Sequence, residues 1–503
     1  MRRRWVISLE CFIAFIISII QYILFIFLYG MIDDGILKCT QLIIIVFSWI
    51  GIINAVFFIS VWKKKTGYVF TLFTIFLLFF IVFNFGQCLL WAFGIHPDNE
   101  IGKVLLFSSV KSSPITIVKA QLLFIVSFSF INLGALSIYN NSYFTKLESY
   151  QEKQDEELTQ YGYKYSALYY ASIVVGFFSI PATLLRTWIF SQFVANYGYA
   201  ALGTSASNSI NGAVMNILSS LFMPVLLGML IGSRHRKGTV FFVYCIFTIY
   251  AILSTMSGDR GEWVTRFVVL IWLELTYYRK LTFKGTIKLI ITGIIGLWIL
   301  QAAISLRNKG GITAEALINA LTNMEVNPIV SALTEFGHSM AIVMILLTEK
   351  ITYPFGNTYI MSFLTMLSPG LTNGVLGTKF VEIQDWFPKN ILHINYGSDF
   401  SMIGEAVLNF GVYFTPIVIS ILGIIIFKVT YYPYKKQLNP FLFCMTLNLT
   451  SLIFKLPRTT IWFLLNYSIY SIIILGGVYW IFASILCRRR NINGKYERKT
   501  SKI

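Results

Sequence analysis

An all-α protein crossing a membrane about twelve times is the fold class this sequence predicts, on three observations. Of its 503 residues 56% are hydrophobic and 12% charged, about half the ~25% charge of soluble domains. Apolar runs recur along the whole length at about the 20 residues that a helix needs to span a bilayer. Clusters of basic residues fall between the runs: Arg2-Arg3-Arg4, Lys63-Lys64-Lys65, Arg234-Arg236-Lys237, Arg279-Lys280-Lys284, Lys435-Lys436 and Arg488-Arg489-Arg490. By the positive-inside rule these clusters mark cytoplasmic loops.

Twelve spans follow, at 5–30, 41–62, 68–95, 116–139, 167–190, 213–233, 238–256, 263–278, 286–305, 403–428, 440–456 and 461–486. The first follows Arg4 and is too long for the ~7–15-residue core of a signal peptide, with no small-residue cleavage site after it, so it reads as uncleaved. The loop 140–166, with Lys146, Glu148, Glu152, Lys153, Asp155, Glu156, Glu157 and Lys164, reads as a short solvated helix on the inner side. Both termini then lie inside. The chain divides into nine spans (1–305), a large outer loop (306–402), three last spans (403–486) and a basic cytoplasmic tail (487–503). A structureless loop of that length is improbable, so the segment folds against the membrane. Its apolar stretches 329–348 and 356–377 fit horizontal helices or a membrane hairpin, and a hairpin would raise the count to fourteen. No internal repeat is visible, which argues against the repeat-built architecture of many transporters.

The net charge of +18 raises nucleic acid as a partner, but most of the surplus sits in short inter-helix loops, where topology already requires it. Nucleic acid is therefore excluded, and membrane lipids are the expected surroundings. Six cysteines show neither a CxxC nor a ligand spacing, four histidines form no metal motif, and neither a metal site nor a cofactor is expected.

Single arginines at the opposite, outer ends of the runs need another explanation. Arg260 sits in Ser257-Gly258-Asp259-Arg260-Gly261-Glu262-Trp263, a whole outer turn, with Arg266 further along the next helix. The ordinary reading is an interfacial salt bridge with a Trp anchor. The functional one is a fork for an anionic headgroup, with Asp259 and Glu262 aiming the guanidinium, since Arg binds phosphate bidentately. Arg307 leaves a span in Ser305-Leu306-Arg307-Asn308-Lys309. Arg458 follows Lys455-Leu456-Pro457, and Arg186 follows Pro181. Any one of these is explained by snorkelling. Several on one side point to an anionic ligand, because ionisable groups at bundle depth are costly.

Two acids and a histidine complete the set. In Ser401-Met402-Ile403-Gly404-Glu405, Ser401 reads as an N-cap and Glu405 as a first-turn acid that suits the helix dipole. Glu405 and Asn409 nonetheless share one face at i, i+4, which makes Glu405 a candidate general base or arginine orienter. Glu335 and His338, in Glu335-Phe336-Gly337-His338, are further candidates for a base, although an exposed histidine on an amphipathic helix is the commoner case. Outer aromatics such as Tyr353, Tyr359 and Trp386 suit sugar stacking or an interfacial belt equally.

These residues resemble the Wzy-type polymerases of bacterial O-antigen or capsule repeat units. The resemblance rests on the layout of spans around one large outer loop and on the Gly258–Glu262 turn. It rests also on Tyr353-Pro354-Phe355-Gly356, Pro369 and Ser401-x-x-Gly404-Glu405-x-x-x-Asn409-Phe410-Gly411. It covers most of the chain in layout and only these short runs in sequence. It implies a GT-C-like helical bundle in the bacterial inner membrane with a large periplasmic loop. The implied activity is a metal-independent glycosyl transfer between oligosaccharides carried on undecaprenyl pyrophosphate. Arg260 and Arg307, with Glu405, would then serve the chemistry. Arg458, Arg266, Arg186, Glu335, His338, Asp259 and Asn409 would bind the substrate. The same resemblance implies a flippase and a chain-length regulator of one pathway as partners. Some members carry an Arg-x10-Gly pattern in two outer loops; here Arg186 and Gly198 have eleven residues between them. An O-antigen ligase and a lipid-linked oligosaccharide flippase share the cationic outer face, and they stand as the alternatives.

Overall fold

The computed structural model describes residues 9–101, 113–139, 150–198, 212–257, 261–278, 314–322, 327–367, 380–394, 399–434 and 439–500, with a few isolated positions between. Among the described residues there are eleven helices long and apolar enough to cross a membrane. Ten coincide with expected spans. The expected span 263–278 forms the shorter helix Gly261–Leu273, continued by a π-helical turn at Glu274–Tyr278, and 286–305 lies almost wholly outside the described residues. The eleventh comes from the expected outer loop, at Pro328–Thr348. The chain is thus an all-α, multi-pass membrane protein. It divides into two compact units.

The first unit comprises Met1–Phe144, Met324–Tyr431 and Ile453–Phe463. Its helices start where sequence allows. Thr71 and Ser113 accept the amide hydrogens of Thr74 and Thr116. Pro114 and Pro328 occupy the first turns, where a missing N–H costs nothing. In a bilayer, helix association relies on close packing and interhelical hydrogen bonds, and this unit uses both. Trp62 Nε1 donates to Asn132 Oδ1 at 2.7 Å, and Asn54 Nδ2 donates to Ser129 Oγ at 2.9 Å and to the Ile125 carbonyl at 3.2 Å. Backbones touch where Pro114–Ser137 crosses Met402–Tyr431: a Cβ on Gly134 would lie 2.0 Å from the Ser420 carbonyl oxygen, and one on Gly423 would lie 2.3 Å from that of Ile131. Gly134→Val is expected to cost at least ~1–3 kcal/mol of overpacking, read as loss of the folded, monodisperse fraction in detergent. An unchanged elution profile and melting temperature would refute this contact.

Of the expected outer loop, 329–348 forms Pro328–Gly337 and Ser339–Thr348, joined at His338, and together these reach membrane length. The second apolar stretch gives Thr358–Thr365 among the described residues, and much of 368–379 lies outside them. The remainder folds on an apolar cluster of Tyr353, Met361, Phe380, Ile383, Phe387, Leu392 and Phe400 against Ile342 and Ile345.

The second unit comprises Thr145–Asn323, Tyr432–Leu452 and Leu464–Ile503. The short inner helix expected within 140–166 is instead the start of one 48-residue helix, Tyr150–Tyr197. No Gly or Pro interrupts 150–161, and Glu, Gln and Lys carry the helix onward into the span. That helix packs on Ala213–Gly232, where a Cβ on Gly232 would fall 2.6 Å from the Tyr169 nitrogen. The π-turn Glu274–Tyr278 meets His235, whose Nε2 lies 2.6 Å from Glu274 and whose ring stacks on Tyr278 at 3.7 Å.

Candidate functional site

The helices Leu72–Ala92 and Pro328–Gly337 bring their backbones together at two glycines. A Cβ on Gly86 would stand 2.6 Å from the Leu333 carbonyl oxygen, and one on Gly337 would stand 2.6 Å from the Gln87 nitrogen. This close approach puts Gln87 beside the helix joint. Its Nε2 donates to the Thr334 carbonyl at 2.8 Å and lies 3.3 Å from His338 Nδ1, while its Oε1 accepts the Ile101 N–H at 2.8 Å. His338 Nδ1 is also 2.8 Å from the Thr334 carbonyl. A proton on Nδ1 satisfies that carbonyl, and the ring also hydrogen-bonds the backbone of Asn99. His338 is therefore half-buried at a helix joint, not an exposed histidine on a surface helix. Glu335 is half-buried in the preceding turn.

Arg458 reaches the same place from a 3₁₀ turn, Leu456–Arg458, set by Pro457. Asn84 Nδ2 donates to the Pro457 carbonyl at 3.2 Å, and the Phe400 N–H donates to the Arg458 carbonyl at 3.2 Å. The guanidinium carbon stands 5.7 Å from the Phe83 ring centre and 5.8 Å from that of Phe336, within cation–π range. Its NH2 group pairs with Asp399 at 2.5 Å. Its Nε is buried and has no hydrogen-bond partner among the described residues. The side chain is 22% exposed, so a ligand can approach it from one side. A planar cation on aromatic walls, open on one side, is suited to a phosphate or carboxylate.

Immediately behind Arg458, two acids hold the chain. Glu405 is 1% exposed; its Oε1 accepts the Thr358 hydroxyl at 2.8 Å and its Oε2 the Ile461 N–H at 2.9 Å. Asn409 lies on the same helical face, its Oδ1 accepting the Thr358 N–H at 2.8 Å and its Nδ2 donating to the Thr358 hydroxyl at 2.7 Å. Ser401 caps this helix, its hydroxyl accepting the Gly404 N–H at 3.4 Å. The helical geometry breaks at Gly411, whose φ of 76° few other residues adopt. Glu382, from the outer segment, accepts the Thr460 hydroxyl at 2.8 Å and the Gln384 N–H at 2.7 Å. Burial pushes its carboxyl up to about 8, with Asp385 and Glu405 adding to the rise.

The first unit thus gathers Arg458, His338, Glu335, Glu405 and Asn409 of the residues expected from sequence. Arg266 and Arg186 lie in the second unit. Arg266 pairs with Glu262 and donates to the Tyr250 hydroxyl at 2.9 Å, while Arg186 stands 5.1 Å from the Phe190 ring centre. Asp259, Arg260 and Arg307 lie outside the described residues. Sequence reasoning missed Glu382, Thr358, Thr460, Asn84, Gln87 and the pairing of Asp399. Asn84 and Gln87 were findable as two polar residues, i and i+3, inside an apolar run; Glu382 stands in no pattern that singles it out.

A profile of the O-antigen polysaccharide polymerase Wzy family matches residues 11–491. The chain belongs to that family. Searches of curated proteins and of solved structures gave no match. The match spans both units of this Wzy-family protein. Its general activity is the polymerisation of O-antigen repeat units.

Proposed function

We propose that this protein joins oligosaccharide repeat units carried on undecaprenyl pyrophosphate at the outer face of the bacterial cytoplasmic membrane, with Arg458 binding the pyrophosphate. The observation that carries this reading is the Arg458 guanidinium itself: partly accessible and seated on two aromatic rings. The growing chain is the donor. An acceptor hydroxyl oxygen attacks the anomeric carbon next to the pyrophosphate, and the bond from that carbon to the phosphate oxygen breaks. The electron pair leaves on the pyrophosphate, and the hydroxyl proton passes to a base. A preorganised cation stabilises the charge that develops on the leaving group, so this reading needs no metal. His338 is the candidate base, because both Glu405 oxygens already accept hydrogen bonds. Glu405 then orients the Arg458 turn through Ile461. On the sequence argument alone, Arg260 and Arg307 serve the chemistry, and Arg186 and Arg266 bind the anionic substrate. A flippase that supplies the units and a chain-length regulator are the partners proposed with this reading.

Deleting the gene and resolving surface polysaccharide by size tests it. The expected profile keeps single repeat units and loses the ladder above them. Loss of all surface repeats, with polymerised units left on their lipid carrier, would mean a ligase instead. Single units trapped on the inner leaflet would mean a flippase.

A further inference from the structure

Glu382 has no place in the chemistry above, yet it is an acid 8% exposed in an apolar cluster. Burying a carboxyl is costly unless something uses it. Its two contacts differ in kind. The Gln384 N–H contact is an ordinary helix cap, which Ser or Asp would supply at less cost. The Thr460 contact is not local: it joins the outer segment to the second residue after Arg458. The next residue, Ile461, is gripped by Glu405. Consecutive residues are thus held by acids from two separate elements, and Asn84 holds Pro457 on the other side of Arg458.

We propose that Glu382 is a positioning residue for the substrate-binding arginine: with Glu405 it forms a two-point carboxyl clamp on residues 460 and 461 that fixes the direction of Arg458. The clamp ties the folded outer segment to the anion site, so that the arginine is aimed only while that segment is docked. This rests on the reading of Arg458 as the pyrophosphate ligand. Glu405, Asp385 and Tyr353 are the titratable groups facing Glu382, and none of them is a cation that would draw its side chain away from Thr460.

The test is polymerisation by the full-length protein in proteoliposomes, using purified lipid-linked repeat units, with KM and kcat measured separately. Glu382→Leu and Thr460→Val are each expected to raise KM about tenfold, the effect of one lost buried hydrogen bond. The double variant should be no worse than the worse single one, since both break the same contact. Glu382→Gln should keep the wild-type KM, because its amide donates to Thr460 and still accepts the Gln384 N–H. Thr460→Val is nearly isosteric and serves if Glu382→Leu does not fold. If the Thr460 and Glu382 variants melt earlier but keep the wild-type KM, or if their effects on KM add, the contact is structural and the clamp is refuted. Arg458→Ala in the same assay separates the two readings. Unchanged KM and kcat in Arg458→Ala overturn the arginine assignment and the clamp with it. A raised KM in Arg458→Ala, with none in the clamp variants, overturns the clamp alone.

Discussion

Arg458→Ala is expected to lower polymerisation roughly 10²–10³-fold, the range for removing one preorganised donor from a developing oxyanion. The loss should be larger than packing alone explains. The side chain is partly exposed and lies on rings that already contact each other, Phe83 and Phe336 at 5.4 Å, so its removal leaves no deep cavity. Arg458→Lys should recover little. An ammonium has no planar fork with which to hold a phosphate at two points. Asp399→Asn separates two roles for the ion-pair partner. If Asp399 merely steers the guanidinium, KM rises. If it stands where the substrate's phosphate binds, KM falls, because a competing anion has gone. The measurement is chain-length distribution on a gel together with initial rates in vesicles. Wild-type ladders from Arg458→Ala at equal protein level would remove Arg458 from the reaction.

The sequence was most legible where one physical rule acts over many residues. Hydrocarbon thickness and the positive-inside rule set the spans, and ten recur as helices at the expected places. It was less legible where packing decides. Pro328–Thr348 carries Glu335 and His338 and looks like a surface helix by composition, but Gly86 and Gly337 let it press directly onto Leu72–Ala92. Two glycines in a glycine-containing chain do not announce that they face each other. The i, i+4 relation of Glu405 and Asn409 was readable, and the structure adds that Thr358 is the residue on which they converge. That contact is 47 residues away from Glu405, and no local pattern encodes it. Glu382 was invisible for the same reason: its distant partner, Thr460, is 78 residues downstream.

Glu382→Gln is expected to stabilise the protein at neutral pH and to do so less as pH falls. Burial raises the folded-state carboxyl to about 8 from an ordinary 4.5. Between those values the folded state holds a proton that the unfolded state has released. Folding stability therefore falls as pH rises through this window, and it is flat below 4.5 and above 8. At about 1.4 kcal/mol per pH unit, the acid costs the wild type roughly 3 kcal/mol at pH 7 relative to an uncharged isostere. Asp385 is also raised by burial, with Lys389 opposing, but it is present in both proteins, so the difference between their pH profiles isolates Glu382. Melting temperatures of the two proteins in the same detergent should converge near pH 4 and separate progressively up to pH 8. Equal melting temperatures at pH 7, or a lower one for Glu382→Gln, would mean that the carboxyl is ionised in the folded protein and bound as an anion by its neighbours. The size of the separation therefore measures how much stability is given up to keep a carboxyl at this position behind Arg458.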